Sequence, residues 1–405
     1  MRSYRRTLGA ADFRRLWLGA TISTLGDGMT FVALSWLVLS GPHGATRLGL
    51  LAVCYTAPVV IGGVAAGPIL DRFDKRTVLF ADCVFRAALM STIPITAALH
   101  TTPAALPFIA ASGYGLLKML PLAGFPAAIP TLVPESDLDT ANALESLSFS
   151  IAGVLGPALS GALIPTIGAA NVLAIDSATF LIFAATITQV RHPLRATPTP
   201  HQPAPPLRSL LKDNIIVRTT IAFMAFNIAE GMLLVAAPWL AKTHLPGGPT
   251  TLGVLLALTA TGEITGATLA GLRNTETIRA IGIVQLLAAA CYLALLAPRL
   301  PILGAGFLLV GLLSAPMTVW AQTLRMRRIP PALHGRAFAV LRTLMQGTLP
   351  LGSLLVTPFV AAGSVGQAAI TMTVIAGLPA LMLLLRTPAP APTAVPTHPS
   401  PEKPN

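Results

Sequence analysis

Gly67-Pro68-Ile69-Leu70-Asp71-Arg72-Phe73-Asp74-Lys75-Arg76 is a short basic break between two apolar runs, 48–70 and 78–99. A helix needs about 20 apolar residues to cross a bilayer, and each run supplies that length. Working outward, the alternation continues to both ends of the chain, with further apolar runs at 16–39, 105–129, 142–166, 171–190, 218–241, 250–272, 278–297, 301–323, 336–361 and 366–385. Of the 405 residues, 54% are hydrophobic and only 10% charged, with mean hydropathy +0.73. A soluble domain carries roughly 25% charged residues. The sequence predicts an all-α membrane protein of twelve transmembrane helices.

The longest break inside the spanning region, Arg191 to about Val217, holds Pro193, Pro198, Pro200, Pro203, Pro205 and Pro206, a composition that favours an extended linker. It divides the chain into a six-helix half over 1–190, a linker over 191–215 and a second six-helix half over 216–386. The Pro-rich tail, 387–405, is expected to be disordered. The net charge of +12 does not suggest nucleic acid, because the basic residues sit in short clusters without a basic helix or interleaved aromatics. Of the 27 Lys and Arg, 22 fall on one set of span ends, three on the other (Arg47, Lys242, Arg299), and Arg86 and Lys118 lie within spans. The positive-inside rule then places both termini and the linker in the cytoplasm, as expected of a multi-pass cell-membrane protein. The loop with Glu135, Asp137 and Asp139 falls on that side too, since acidic residues carry little topological weight.

The loop at 67–76 resembles the signature loop of the major facilitator superfamily: a Gly, Asp-Arg four residues on, then a basic cluster. The resemblance implies the major facilitator fold, with an inner gate at Gly67, Asp71, Arg72 and Arg76 and with Asp71 facing a helix terminus of the other half near Gly335 and Arg336. The second-half counterpart, Gly271-Leu272-Arg273-Asn274-Thr275-Glu276, is degenerate, so the gate contacts are expected to be asymmetric. In the fifth run, Gly153, Gly156, Pro157, Ser160 and Gly161 resemble the superfamily's antiporter motif, which accompanies export. Such small residues also let another helix approach closely, which is the plainer reading. Arg14-Arg15-Leu16-Trp17, Leu25-Gly26-Asp27-Gly28, Phe125-Pro126-Ala127-Ala128, Asp176-Ser177-Ala178-Thr179-Phe180 and Gly335-Arg336-Ala337-Phe338 are similar to the macrolide-efflux and enterobactin-exporter-like members.

No lysine follows a glycine, so a Walker-type phosphate loop is lacking and ATP cannot drive transport in this chain. The seven histidines map to loops, span ends or tails, and Cys54, Cys83 and Cys291 to apolar runs. Neither metal site nor cofactor nor enzyme chemistry is expected.

Ionisable groups inside spans are the sharpest candidates, because a charge at the bilayer centre costs several kcal/mol and persists mostly where it faces a cavity or partner. Asp27 and Glu230 lie about 18 Å from the cytoplasmic ends of their spans, Lys118 and Glu263 about 20 Å from the outer ends. All four are proton-coupling or substrate candidates, with Glu230 ranked first; a structural hydrogen bond at Asp27, and an interhelical pair of Glu230 or Glu263 with Lys118, are the alternatives. Arg86 and Asp82, one turn apart and near the inner end of their span, read as a structural ion pair. Arg15 precedes Asp27, and Arg218 precedes Glu230, by the same 12 residues, as in duplicated halves. The expected protein is a monomer in the lipid bilayer that exports small hydrophobic or amphipathic molecules in exchange for protons. An importer or lipid flippase on the same fold, or a receptor, remains open.

Overall fold

In the computed structural model, residues 2–192, 194, 213–272, 277–330 and 333–385 are described. The calls on most of the linker, on Arg273 to Glu276 and on the tail therefore lie outside the described residues. Those described hold twelve helices long and apolar enough to cross a membrane. A short helix α1 (Arg2–Gly9) precedes the spans. The first half consists of α2 (Ala11–Leu39), α3 (Gly44–Arg72), α4 (Lys75–Ala98), a fourth span made of α5 (Leu106–Leu117) and α6 (Met119–Leu132), α7 (Leu138–Ile167) and α8 (Ala169–Thr188). The second half consists of α9 (Asn214–Thr243), α10 (Pro249–Leu272), α11 (Ile278–Cys291) continued by a 3-10 turn at Tyr292–Leu296, α12 (Leu300–Arg328), an eleventh span made of α13 (His334–Gln346) and α14 (Leu349–Ala361), and α15 (Val365–Leu384).

Five spans, those of α2, α3, α4, α7 and α9, start three to five residues before their apolar runs, because polar residues at the membrane surface continue a helix that hydropathy does not reveal. Two spans break in mid-membrane. Pro121 has no N–H to give the carbonyl of Leu117, and α5 ends at that residue; Pro350 likewise cannot reach Gln346, the last residue of α13. Lys118 is the joint between α5 and α6.

An even number of spans puts Arg2 and Leu384 on one face, the basic face, and the loop at 40–43 on the far face. On the basic face Arg6 of α1 gives its Nε–H to both oxygens of Asp137, 2.9 Å each, so the acidic loop is a counter-ion for the N-terminal cluster. That hydrogen bond and the carboxylate charge raise the Arg6 guanidinium above its usual range. The halves also share a construction detail. Arg15 near the start of α2 donates to the Gln189 carbonyl at the end of α8, 3.1 Å, and Arg218 near the start of α9 donates to the Leu385 carbonyl at the end of α15, 3.2 Å. In both, an arginine of the first helix satisfies an orphan carbonyl at the end of the sixth.

The apolar core is divided unevenly along the membrane normal. One cluster runs through both halves and takes its first-half members from the middle and far ends of the spans, among them Met29, Leu34, Leu39, Leu48, Leu51 and Ile93. The basic ends of the first half have a separate cluster (Phe13, Leu16, Leu79, Val133, Ile187), and α12–α13 another (Ile329, Leu333, Leu341). The halves are welded at the far face and separate toward the basic face.

Candidate functional site

Backbones meet at the far face because glycines allow it. A Cβ on Gly161 of α7 would lie 2.5 Å from the Pro249 carbonyl oxygen, and one on Gly253 of α10 would lie 2.5 Å from the Pro157 oxygen. Two hydrogen bonds join the halves there, Thr250 Oγ1 to the Gly161 carbonyl at 3.0 Å and Lys242 Nζ to Ser40 Oγ at 3.2 Å. Lys242 also lies 4.9 Å from the Trp36 ring centroid. Two of the antiporter-type residues, Pro157 and Gly161, thus face α10 across the seam, while Gly156 packs on Gly28 of α2 and Ser160 donates to the Met29 carbonyl at 3.1 Å within the first half. Gly153 borders the interior beside Ala260.

Below this seal lies a cleft of three adjoining cavities. The first, about 250 Å³, is walled by α2, α3, α5, α6, α7 and α8 and holds Asp27, Tyr55, Tyr114, Lys118, Phe125 and Glu145. The second, about 480 Å³, lies between α7, α10 and α12 and holds Glu263, Ser314 and Thr318. Phe149 and Gly153 border both. The third, about 310 Å³, shares Leu122 with the first and lies between Gly63, Ala66 and Gly67 of the first half and Phe338 and Arg342 of α13. The walls are mainly apolar and aromatic, with ionisable side chains at a few points.

The structure disperses the four mid-membrane candidates. Asp27 opens on the first cavity and accepts a hydrogen bond from Arg86 Nη1 at 3.1 Å. Arg86 also donates from Nη2 and Nε to Asp82, at 2.6 and 3.1 Å. The Arg86–Asp82 pair is therefore present but belongs to a larger cluster. Arg86 stands 11 residues into α4, about 17 Å from its start and so at mid-depth, which corrects its placement near the inner end. Lys118 has no carboxylate at ion-pair distance among the described residues; its ammonium sits 5.3 Å from the Tyr55 ring centroid. Glu230 is bonded instead to the Tyr292 hydroxyl, 2.5 Å, so the Lys118–glutamate pairing is not formed. Glu263 faces the second cavity.

Two residues bonded to the cleft-side carboxylates or their helices, Asp176 and Tyr292, and one contact, Asp27–Arg86, escape the sequence reading. Asp176, which enters the sequence reading only within a family-like stretch, is fully buried and accepts a hydrogen bond from Thr30 of α2 at 2.6 Å. Tyr292 escapes because nothing in an apolar run announces a partner for Glu230. The Asp27–Arg86 contact was legible in principle, since a mid-span carboxylate calls for a cation and Arg86 is one of only two within spans. Of the inner-gate residues, Gly67 borders the third cavity, while Asp71, Arg72 and Arg336 are exposed. Among the described residues Asp71 has no hydrogen-bond or ion-pair partner, and Arg72 lies 5.9 Å from the Phe73 ring centroid.

Two pseudo-repeated six-helix halves around a midplane cleft define a secondary-transporter fold of the major facilitator type. The chain belongs to the transmembrane secretion effector family, which it matches over residues 6–404. It is 27% identical over 406 residues to the MFS-type transporter y4rN of Sinorhizobium fredii, covering 97% of this chain and 98% of that one. It is 24% identical over 358 residues to the multidrug efflux pump Tap of Mycolicibacterium fortuitum, covering 82% and 85%. Among solved structures, a bacterial homologue of the human lysosomal transporter Spinster, inward-facing and unoccupied, superposes with a TM-score of 0.71 at 13% identity, covering 92% of this chain and 96% of that one. The protein is a multi-pass membrane transporter of small molecules.

Proposed function

We propose that the protein exports small hydrophobic or amphipathic compounds, of the drug, macrolide or other natural-product kind, from the basic face to the far face in exchange for protons. The observation that carries this is the cleft: apolar and aromatic walls, few ionisable groups, open toward the basic face and sealed beyond it by the α7–α10 seam. Such walls suit molecules that partition into membranes, and likeness to a multidrug efflux pump supports the same class. Within this reading the basic face is cytoplasmic. Carboxylates of the spans can carry a proton, and none of the chemistry needs a cofactor or a partner chain.

Everted membrane vesicles incubated with a panel of amphipathic drugs and dyes test it. Proton-gradient-dependent uptake is the expected result; uptake confined to right-side-out vesicles makes the protein an importer, and uptake in neither makes it a receptor. Orientation is checked with Thr199→Cys, which should resist an impermeant thiol reagent in intact cells and react after permeabilisation.

A further inference from the structure

In the first half one guanidinium is ion-paired to two carboxylates inside the membrane, and a third carboxylate lies beside them. Asp82 and Arg86 come from α4, Asp27 from α2 and Asp176 from α8. Arg86 is 1% exposed, Asp82 and Asp176 are 0% exposed, and Asp27, at 24%, is the member that opens on the cleft. The guanidinium lies 4.3 Å from the Phe180 ring centroid and 5.7 Å from that of Tyr114. Asp82 Oδ1 and Asp176 Oδ1 are buried with no hydrogen-bond partner. Asp176 reaches this place because Gly26, next to Asp27, has no side chain: a Cβ there would lie 2.5 Å from Asp176 Oδ1. The other ionisable groups around the cluster are Tyr55 on α3, Cys83 on α4, Tyr114 on α5 and Lys118 at the α5–α6 joint.

Arginine stays protonated in proteins. Three acids and one fixed cation make a group whose net charge changes only when carboxyls gain or lose protons, and an uncompensated charge at this depth is costly. Two carboxyl oxygens without partners are places where a proton can sit. We propose that this cluster, rather than Glu230 in the second half, is the proton-coupling site of the transporter: Asp27 exchanges the proton with water in the cleft, Asp82 and Asp176 share the remaining protons, and Arg86 is the positioning residue that senses the change. The proposal rests on the proton-exchange reading above and names where it occurs.

The geometry supplies the link to conformational change. With the cleft open to the basic face, Asp27 is ion-paired to Arg86. A proton delivered to Asp27 from the far side removes that pair, while Arg86 keeps both of its bonds to Asp82. Beside Asp27 on α2, Gly28 and Met29 touch Gly156 and Ser160 of α7, and the adjoining Pro157 and Gly161 form the far seal with α10. A shift of α2 against α4 therefore reaches the seal through six residues of α7. Release of the proton to the basic side restores the ion pair and leaves the cleft ready for substrate.

The test does not need the substrate. Infrared difference spectra of the full chain in lipid, between alkaline and mildly acidic buffer, should show a protonated carboxyl band that disappears in Asp27→Asn and shifts in Asp176→Asn but persists in Glu230→Gln. Spin labels at Asp139 and Leu272, on the basic ends of α7 and α10, should report a pH-dependent change of separation that Asp27→Asn abolishes and Glu230→Gln leaves intact. A pH-dependent band and separation that survive Asp27→Asn overturn the proposal, as does their loss in Glu230→Gln alone. Should Asp27→Asn fold poorly, Asp27→Glu, which keeps the titration, must restore both signals; if it restores the fold without them, the proposal falls. Failure of the vesicle assay with these signals intact removes the export reading and leaves the proton site standing.

Discussion

The first and seventh spans each carry a carboxylate 12 residues after an arginine, Asp27 after Arg15 and Glu230 after Arg218. The third span meets the first carboxylate and the ninth span meets the second, yet with different chemistry. In the first half the partner is Arg86, which also holds Asp82. In the second half it is the Tyr292 hydroxyl, while the neighbouring polar group of the same span, Gln285, spends its amide on the Ala222 and Ala376 carbonyls at 2.8 and 2.9 Å. The two halves thus match in place and differ in charge. One half is an ion network with an opening to the cleft; the other is a hydrogen-bonded brace, without a cation on Glu230 among the described residues, that ties α9, α11 and α15.

The strongest way to break this contrast is to remove each centre. Arg86→Leu leaves Asp27, Asp82 and Asp176 without their cation, and stripping one partner from a buried ionic group costs about 3–5 kcal/mol. Gln285→Leu removes two interhelical hydrogen bonds from carbonyls that keep their own helices' donors, about 0.5–1.5 kcal/mol each. The detergent-solubilised Arg86 variant should lose its monodisperse peak at a markedly lower temperature than the Gln285 variant. Equal losses would mean that the first-half cluster is held as weakly as a pair of ordinary hydrogen bonds.

A second contrast separates glycines that join helices within a half from those that join the halves. A methyl on Gly156 would lie 2.6 Å from Gly28 Cα in the same half, and one on Gly161 would lie 2.5 Å from the Pro249 oxygen of the other. Overpacking costs typically about 1–3 kcal/mol in either place. In Gly156→Ala that cost should appear as lower thermal stability. In Gly161→Ala it should fall on the far-sealed state alone and move the population away from it, about tenfold for each 1.4 kcal/mol. Spin labels at Thr102 and Arg299, on the far face of the two halves, should separate in the Gly161 variant and keep their native distribution in the Gly156 variant.

The class of fold was legible in hydropathy because a bilayer demands long apolar helices whatever their packing. The site was legible only as a set of depths. Counting residues from span ends put Asp27, Glu230, Lys118 and Glu263 near the midplane, but which helix faces which is a tertiary fact that apolar periodicity does not encode in spans apolar nearly all round. Hence Lys118 was matched to glutamates when it lies over Tyr55, and Asp176 was passed over although it is bonded to Thr30 one turn from Asp27. Helix breaks at Pro121 and Pro350 are not marked in the sequence either, since Pro58, Pro94, Pro157, Pro238, Pro316 and Pro379 each remove a backbone donor inside helices that run on unbroken.

The smallest expected effect sharpens the contrast at the basic face, where the first half carries the complete loop and the second a degenerate one. Asp71 is exposed and, among the described residues, unpartnered while the cleft is open, so Asp71→Asn should leave the stability of this state within about 0.5 kcal/mol of wild type. Its role belongs to the closed cleft, where the carboxylate would meet a helix N-terminus of the other half, an interaction worth about 0.3–1 kcal/mol at exposed sites. The sign follows from which state loses the contact: the closed state is weakened and the open one is not, so the variant should populate the open cleft about two- to fivefold more. The labels at Asp139 and Leu272 read this directly, as a larger fraction of long separations under conditions where wild type is mixed, together with slower turnover in vesicles. A wild-type distribution and wild-type turnover would reduce the loop to an inside-positive turn, and the asymmetry between the halves would then be confined to the membrane interior, where Arg86 and Gln285 sit.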